Sequence, residues 1–180
     1  MNRALPRLRG WIDDLVAEHA PQAVAVATLG FHRLPEYFPD VVLRDVQVVK
    51  VRRIPFPPVG VLGLPEFGAM EQMGITGITF GGVCFVHESF ASESNQFHEL
   101  VHAIQWRTLG PDDFLLTYGA GLLQYGYARS PLETIAFDLQ SQFDRGQPID
   151  GLDGEVRAHA AKTREGAAAL FLQHGVAMGA

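Results

Sequence analysis

Cysteine is nearly absent from this chain, whose 180 residues include only Cys84. A single cysteine excludes a disulfide framework and a zinc cluster held by several thiolates. We expect Cys84 to be a small buried apolar side chain, because that is the usual environment of an isolated cysteine.

Clustered positive charge and long apolar runs are also missing. The formal net charge is −6, and Arg3, Arg7 and Arg9 form the one basic group near the start of the chain. This group is too short and too mixed with apolar residues to indicate nucleic-acid binding or a signal peptide. The apolar run 23–31 is too short to cross a bilayer. We therefore expect a soluble, cytoplasmic protein with no nucleic-acid or membrane partner.

The chain does contain enough apolar material for one domain. Hydrophobic residues make up 47% of it and charged residues 19%, which is typical of a compact globular protein and unlike a disordered one. A length of 180 residues suits a single core. We expect one domain over residues 1–180.

Periodicity along the chain predicts an α+β fold that is mostly helical. Helices are predicted at about 8–19, 22–33, 93–106, 112–124, from 131 onward and at 155–174. Alternation predicts a strand over 44–54, whereas the prolines and glycines of 54–65 predict an extended loop. Residues 74–88 predict a small hairpin that turns at Gly81 and Gly82, since two glycines can both take positive φ. We expect its strand edge to lie beside the next helix, where an extended peptide can bind by strand addition.

That next helix contains the motif His98-Glu99-Leu100-Val101-His102. On a helix the two histidines lie about 40° apart around the axis, so both imidazoles project from one face and can hold one zinc ion. Glu99 follows His98 by about 100° and can face a water on that metal. In a chain of this composition such a motif arises by chance about 0.015 times, which favours a metal site over two ordinary histidines.

Apolar residues flank the motif in a single arc, which consists of Phe97, Leu100, Val101 and Ile104. The histidines lie just outside this arc, and Gln105 returns to the face that they occupy. This arrangement is typical of a half-buried helix that lines a cleft.

Glu133 is the candidate third ligand. Ser130 and Glu133 have the spacing of a capping box at the start of a helix. Glu133 also lies at the margin of the apolar arc of its own helix, as His98 does on the earlier one. A carboxylate there completes a three-ligand zinc site with a fourth position open. Both interpretations remain open, and we favour the ligand.

Several other polar residues are candidates for supporting roles. A hydroxyl or guanidinium near the metal can stabilise an oxyanion, and the candidates are Tyr118, Tyr125, Tyr127 and Arg129. His87 and Glu88, at the end of the hairpin, are candidates for an extra ligand or a contact at the rim. Ordinary packing or exposure is the alternative for each of them.

The motif from His98 to His102, followed by Pro131-Leu132-Glu133-xx-Ala136, resembles the gluzincin branch of zinc metallopeptidases, the thermolysin-like architecture. It looks most like small bacterial proteins that carry HELVH and then PLExxA, and the resemblance covers roughly residues 75–143. It implies a zincin-like fold with a Zn²⁺ ion held by His98, His102 and Glu133, and with Glu99 as the general base.

The chain departs from this family at one position. Thermolysin-like enzymes carry an aspartate four residues after the ligand glutamate, where it orients a histidine. Here that position is Phe137, and Asp138 lies one residue further around the helix. The partners of the zinc histidines are therefore left open.

These features predict a zinc-dependent hydrolase, most simply a metallopeptidase that acts on a peptide or protein substrate. A zinc-activated water would attack the carbonyl, and Glu99 would take its proton and pass it to the leaving amine. The alternative is a zincin-like peptide-binding or regulatory module with little or no hydrolysis, which the short chain favours. A third interpretation is a structural helical domain in which the motif binds no metal.

Overall fold

The computed structural model describes residues 4–173. In chain order its helices and strands are α1 Leu5–His19, β1 Val24–Ala25, α2 Leu34–Tyr37, α3 Asp40–Asp45, β2 Gln47–Val51, α4 Val59–Leu62, β3 Gly77–Phe80, β4 Val83–His87, α5 Glu93–Leu109, α6 Pro111–Tyr125, α7 Pro131–Asp144 and α8 Leu152–Gln173. Short 3₁₀ helices occur at Ala20–Gln22, Val26–Thr28, Pro65–Gln72, Glu88–Phe90 and Tyr127–Arg129. The predicted class, α+β and mostly helical with a small sheet before α5, is confirmed. Among residues 4–173, no helix combines the length and the apolarity needed to cross a membrane.

The sheet has four strands in the order β1-β2-β4-β3. β2 runs parallel to β4, and β3 pairs antiparallel with β4 as the predicted hairpin. Only one glycine of the turn has positive φ, namely Gly81 at +62°. Because β3 is the last strand of the order, the hairpin ends the sheet at an edge strand.

α5 lies at the centre of the molecule. It packs against β3 and β4 on one side and against α6, α7 and α8 on others, and every residue from Gln96 to Trp106 is buried. The helix is therefore more deeply buried than a half-exposed cleft helix. Burying each of its large apolar side chains contributes about 1.5–3 kcal/mol to folding, which holds the polar residues of the motif in the interior.

Local signals set both ends of α5. Ser92 caps the first turn, since its Oγ accepts a hydrogen bond from the Asn95 N–H at 3.1 Å. Gly110, at φ +73°, ends the helix, and Pro111 begins α6 directly afterwards. The site helix therefore begins and ends where the sequence favours a boundary.

The predicted helix at 22–33 is wrong. Val24 and Ala25 instead form β1, paired with Val48 and Gln47 of β2, and the Val26 N–H donates to the Val46 carbonyl at 3.0 Å. Pairing with the sheet therefore overrides the local helical pattern.

The other boundaries differ less. The predicted strand is confirmed but is limited to Gln47–Val51, and the proline-rich loop contains one helical turn, α4, which Gly63 ends at φ +84°. The last helix begins at Leu152, earlier than predicted. The predicted end of that helix at His174 lies outside the described residues.

Candidate metal centre

α5 and α7 bring together the three predicted ligands. His98 and His102 lie one turn apart on α5, and Glu133 is the third residue of α7. The two Nε2 atoms are 3.0 Å apart. His98 Nε2 lies 3.3 Å from Glu133 Oε2, and His102 Nε2 lies 3.3 Å from Glu133 Oε1. Among the described residues, these three form the one group of side chains that could hold a metal ion.

The arrangement fits a tetrahedral ion. Bonds of about 2.0–2.1 Å to a tetrahedral zinc place its ligand atoms about 3.3 Å apart, which is close to the observed spacings. Glu133 Oε2 is buried without a hydrogen-bond partner, and such a group costs about 1–3 kcal/mol. A cation would satisfy this oxygen and both imidazole nitrogens together.

Glu133 does not act as a helix cap. Ser130 is the N-cap residue of α7, but its side chain makes no capping hydrogen bond. Its Oγ lies instead against Gly121 of α6, where an added Cβ would approach it to 2.5 Å. The capping box is therefore not formed, and the Glu133 carboxylate is turned toward the histidines.

The pKa values of the buried histidine and glutamate side chains in the cluster depend on one another. Burial alone would lower the pKa of His102, but the carboxylates of Glu133 and Glu99 raise it to about 9. Burial alone would raise the pKa of Glu133, yet the two imidazoles hold this pKa well below its usual range. A cation bound here would replace the proton that His102 otherwise carries.

Glu99 lies beside the cluster and is not one of its ligands. Its carboxylate accepts a hydrogen bond from Thr79 Oγ1 at 2.6 Å, and a Cβ added to Gly77 would lie 2.2 Å from Glu99 Oε1. β3 thus holds the carboxylate closely. Burial raises the pKa of Glu99, which is the direction that suits a base working near neutral pH.

β3, which lies against this carboxylate, is also an edge strand of the sheet. Because the His87 N–H donates to the Thr76 carbonyl, the alternation of an antiparallel pair directs the backbone groups of Gly77 and Thr79 away from β4. The Thr79 carbonyl accepts a hydrogen bond from Trp106 Nε1 at 3.0 Å. The predicted strand edge is therefore present, and Trp106 already occupies part of it.

Two of the four oxyanion candidates lie in the site. Tyr118 donates to Glu133 Oε1 at 2.5 Å, and Tyr127 also lines the cavity. Burial and the Glu133 carboxylate raise the pKa of both phenols, so they stay protonated. Tyr125 and Arg129 are exposed and do not line the cavity.

The predicted extra ligands at the hairpin end also lie outside the cluster. His87 accepts a hydrogen bond from the Ser89 N–H at 3.2 Å. Glu88 is paired with Arg52 at 3.6 Å.

The cluster forms one wall of a largely apolar cavity of about 140 Å³. The opposite wall is formed by α1, α6 and residues 55–73, which we call the cover segment. The cover segment contributes Phe56, Pro57, Val59, Leu64, Phe67 and Met70. The cavity is about the size of one that accepts benzene. His98, Glu99, His102 and Glu133 are at most 6% exposed, so the surrounding elements shield them from bulk water.

Two glutamines that sequence reasoning did not assign complete the site. Gln105 Oε1 lies 2.8 Å from His102 Nδ1, and Gln140 Oε1 lies 3.1 Å from His98 Nδ1. Phe137 places its ring 4.7 Å from the His98 ring. The spacing along each helix could have indicated both glutamines, because Gln105 follows His102 by one turn and Gln140 follows Glu133 by two turns.

Comparison of the chain with protein-family models, with curated proteins and with solved structures finds no match. The fold and the side-chain cluster alone therefore define the class of this protein. It is a mostly helical α+β domain with a buried cluster of two histidines and one glutamate, and with a second glutamate, Glu99, beside it.

Proposed function

We propose that this protein is a zinc-dependent hydrolase that cleaves peptide bonds, as the gluzincin-like motif suggests. His98, His102 and Glu133 hold the zinc, and Glu99 is the general base. The observation that supports this most strongly is the separation of roles. Three side chains converge within 4.8 Å of one another, while Glu99 is held beside them by β3 rather than included among them.

The zinc supplies Lewis acidity, which acidifies water and polarises a carbonyl. Glu99 takes the proton of the attacking water and then delivers it to the leaving amine. Thr79 holds Oε2 of this carboxylate, which leaves Oε1 to accept the proton. Tyr127 lines the cavity with a protonated phenol and is the candidate donor to the developing oxyanion, whereas the hydroxyl proton of Tyr118 is already donated to Glu133.

The cavity favours substrates with an apolar side chain next to the scissile bond. Its walls away from the cluster are formed by apolar side chains of α1, α6 and the cover segment, so a charged group there would lose its hydration without a partner. The outward-facing groups of Gly77 are available to align an extended peptide. We propose that the cover segment moves to admit the substrate, because His98, Glu99, His102 and Glu133 are almost fully buried.

A second candidate function is a metal-organised binding module with little or no hydrolysis. The observation that favours it is the deep burial of the site, since Glu99 is only 3% exposed and Glu133 only 1%. A module of this kind would bind zinc and an apolar peptide segment without turnover.

Two measurements separate these functions. Elemental mass spectrometry should find about one zinc per chain in the parent and a strong loss in Glu133→Ala, with Glu165→Ala on the exposed side of α8 as the control. Hydrolysis of a mixed peptide pool should then be lost in Glu99→Gln, which keeps its zinc, and retained in Glu165→Gln. Zinc without hydrolysis in the parent would favour the binding module, and no zinc in the parent would overturn both.

A further inference from the structure

Gln105 and Gln140 contact the imidazole nitrogens that face away from the cluster. Gln105 Oε1 lies 2.8 Å from His102 Nδ1, and Gln140 Oε1 lies 3.1 Å from His98 Nδ1. Gln105 is fully buried and Gln140 is partly buried. Each histidine therefore has one ring nitrogen in the cluster and the other on an amide.

The orientation of each amide follows from its second contact. Gln105 Nε2 donates to the Leu132 carbonyl at 2.9 Å. Gln140 Nε2 donates to the Ser94 carbonyl at 3.3 Å and to Ser94 Oγ at 3.0 Å. A backbone carbonyl can only accept, so the NH₂ group must face it and the amide oxygen must face the imidazole. That oxygen in turn requires a proton on each Nδ1.

These contacts also join the two helices in both directions. Gln105 belongs to α5 and donates to the residue before Glu133 on α7, whereas Gln140 belongs to α7 and donates to Ser94 near the start of α5. One cross-link lies beside each histidine. A displacement of α7 along α5 would break an imidazole contact and a backbone contact together.

We propose that Gln105 and Gln140 are positioning residues that hold both histidines with the proton on Nδ1 and the Nε2 lone pair directed at the metal. This inference rests on the proposed metal centre. It assigns to neutral amides the task that a carboxylate performs in thermolysin-like enzymes, at a chain position occupied here by Phe137. A carboxylate partner makes an imidazole more basic, so neutral partners leave these ligands less electron-rich.

The first test compares zinc affinity among variants of the partly buried Gln140, measured by competition with a chromophoric chelator. Loss of such a partner lowers metal affinity by about 10–100-fold, and we expect this for Gln140→Leu. Gln140→Glu keeps an acceptor for Nδ1–H, and Ser94 Oγ can donate to its second oxygen, but that oxygen also faces the Ser94 carbonyl, so this variant should recover part of the affinity. Gln142 lies two residues further along the same helix, and its side chain makes no hydrogen bond among the described residues. Gln142→Leu should therefore match the zinc affinity of the parent.

The second test observes the imidazole protons directly, first in the parent and then in Gln140→Leu. In the zinc-loaded, ¹⁵N-labelled parent, NMR should show both histidines coordinated through Nε2, with slowly exchanging Nδ1–H protons. Gln140→Leu should speed the exchange of the His98 proton and leave that of His102 slow. A role limited to packing would change thermal stability without changing these proton signals.

The outcomes distinguish the inference from the proposal on which it rests. No zinc in the parent would overturn the metal centre and this inference together. If the parent binds zinc but Gln140→Leu binds it equally well, or coordination is through Nδ1, the positioning role alone is overturned. Equal weakening by Gln140→Leu and Gln140→Glu would also overturn it, because the acceptor would then be irrelevant.

Discussion

The two walls of the cavity are built by different means. The ligand wall, formed by α5, the start of α7 and β3, consists of buried polar groups with specific partners at hydrogen-bond distance. The cover segment contributes apolar side chains, which pack with α1 and α6 in the small cluster of Ala4, Val59, Leu64 and Phe67. Hydrogen-bond partners fix the orientation of polar side chains, whereas apolar contacts mainly fill volume. In the proposed hydrolase, the ligand wall would therefore carry the chemistry, and the cover segment would select the size and polarity of the substrate.

The largest effect should come from adding one methyl group to the ligand wall. In Gly77→Ala the new Cβ would lie 2.2 Å from Glu99 Oε1, so the carboxylate must move away from its working position. We expect peptide hydrolysis to fall by about 10²–10⁴-fold, the usual contribution of a general base, with zinc content unchanged.

Gly74→Ala is the matched control, because an added Cβ there meets nothing within 4 Å. Steady-state kinetics and metal analysis of both variants make the test. A Gly77→Ala protein with more than a tenth of the parent activity would contradict the tight fit of Glu99 against β3.

Removing the metal from the ligand wall should destabilise the protein more than any single substitution in the cover segment does. Zinc present at about a thousand times its dissociation constant stabilises the native state by about 4 kcal/mol. For a domain of this size that corresponds to about 8–16 °C in Tm. Calorimetry with and without a chelator measures the shift, and Glu133→Ala should show little of it. Equal shifts in the two proteins would disprove the assigned ligand.

The cover segment should tolerate truncation better than the core behind the ligand wall. Phe97→Ala should cost about 3–5 kcal/mol, because this ring is fully buried and contacts the rings of Tyr37, Phe38 and Phe143. Phe67→Ala should cost less than half of that, since Phe67 is 8% exposed and belongs to a small cluster.

Urea unfolding measures the free energy of unfolding of Phe97→Ala and of Phe67→Ala. Kinetics of Phe67→Ala should show a changed KM for apolar substrates with kcat nearly unchanged. A loss of kcat alone would show that the cover segment takes part in the chemistry.

The smallest expected effect concerns the reactivity of the Cys84 thiol, which lies in β4 beside Thr79 of the ligand wall. Burial raises the pKa of its thiol to about 12. At pH 8 the native thiol should therefore not react with a disulfide reagent until the protein unfolds. The unfolded thiol ionises near pH 9, so this group should lower stability only as pH rises from about 9 toward 12. Rapid labelling of the native protein at pH 8 would contradict this.

The ligand wall was largely predictable from local patterns. Two histidines one turn apart require only that the segment be helical, and Glu133 occupies the margin of an equally regular helix. The capping alternative for Glu133 is decided only by Ser130 packing against Gly121, a tertiary contact between consecutive helices. The predicted burial of Cys84 is confirmed by its complete lack of exposure.

Features that depend on tertiary pairing were not predictable in the same way. β1 forms because β2 offers a partner for Val24 and Ala25, although the segment itself favours a helix. Gln140 reaches His98 only because α7 lies along α5. The cover segment carries prolines that exclude long helices but say nothing about which surface it contacts.

The hydrogen bond from Trp106 to the Thr79 carbonyl gives the protein an optical reporter of its own site. This indole lines the cavity, stacks on Phe114 and bonds to the residue whose hydroxyl holds Glu99. The chain has two tryptophans, and Trp11, which packs on Phe80, does not line the cavity. In a Trp11→Phe background the fluorescence of Trp106 alone will follow the hydration of the cavity, so metal binding and movement of the cover segment can be timed without an added label.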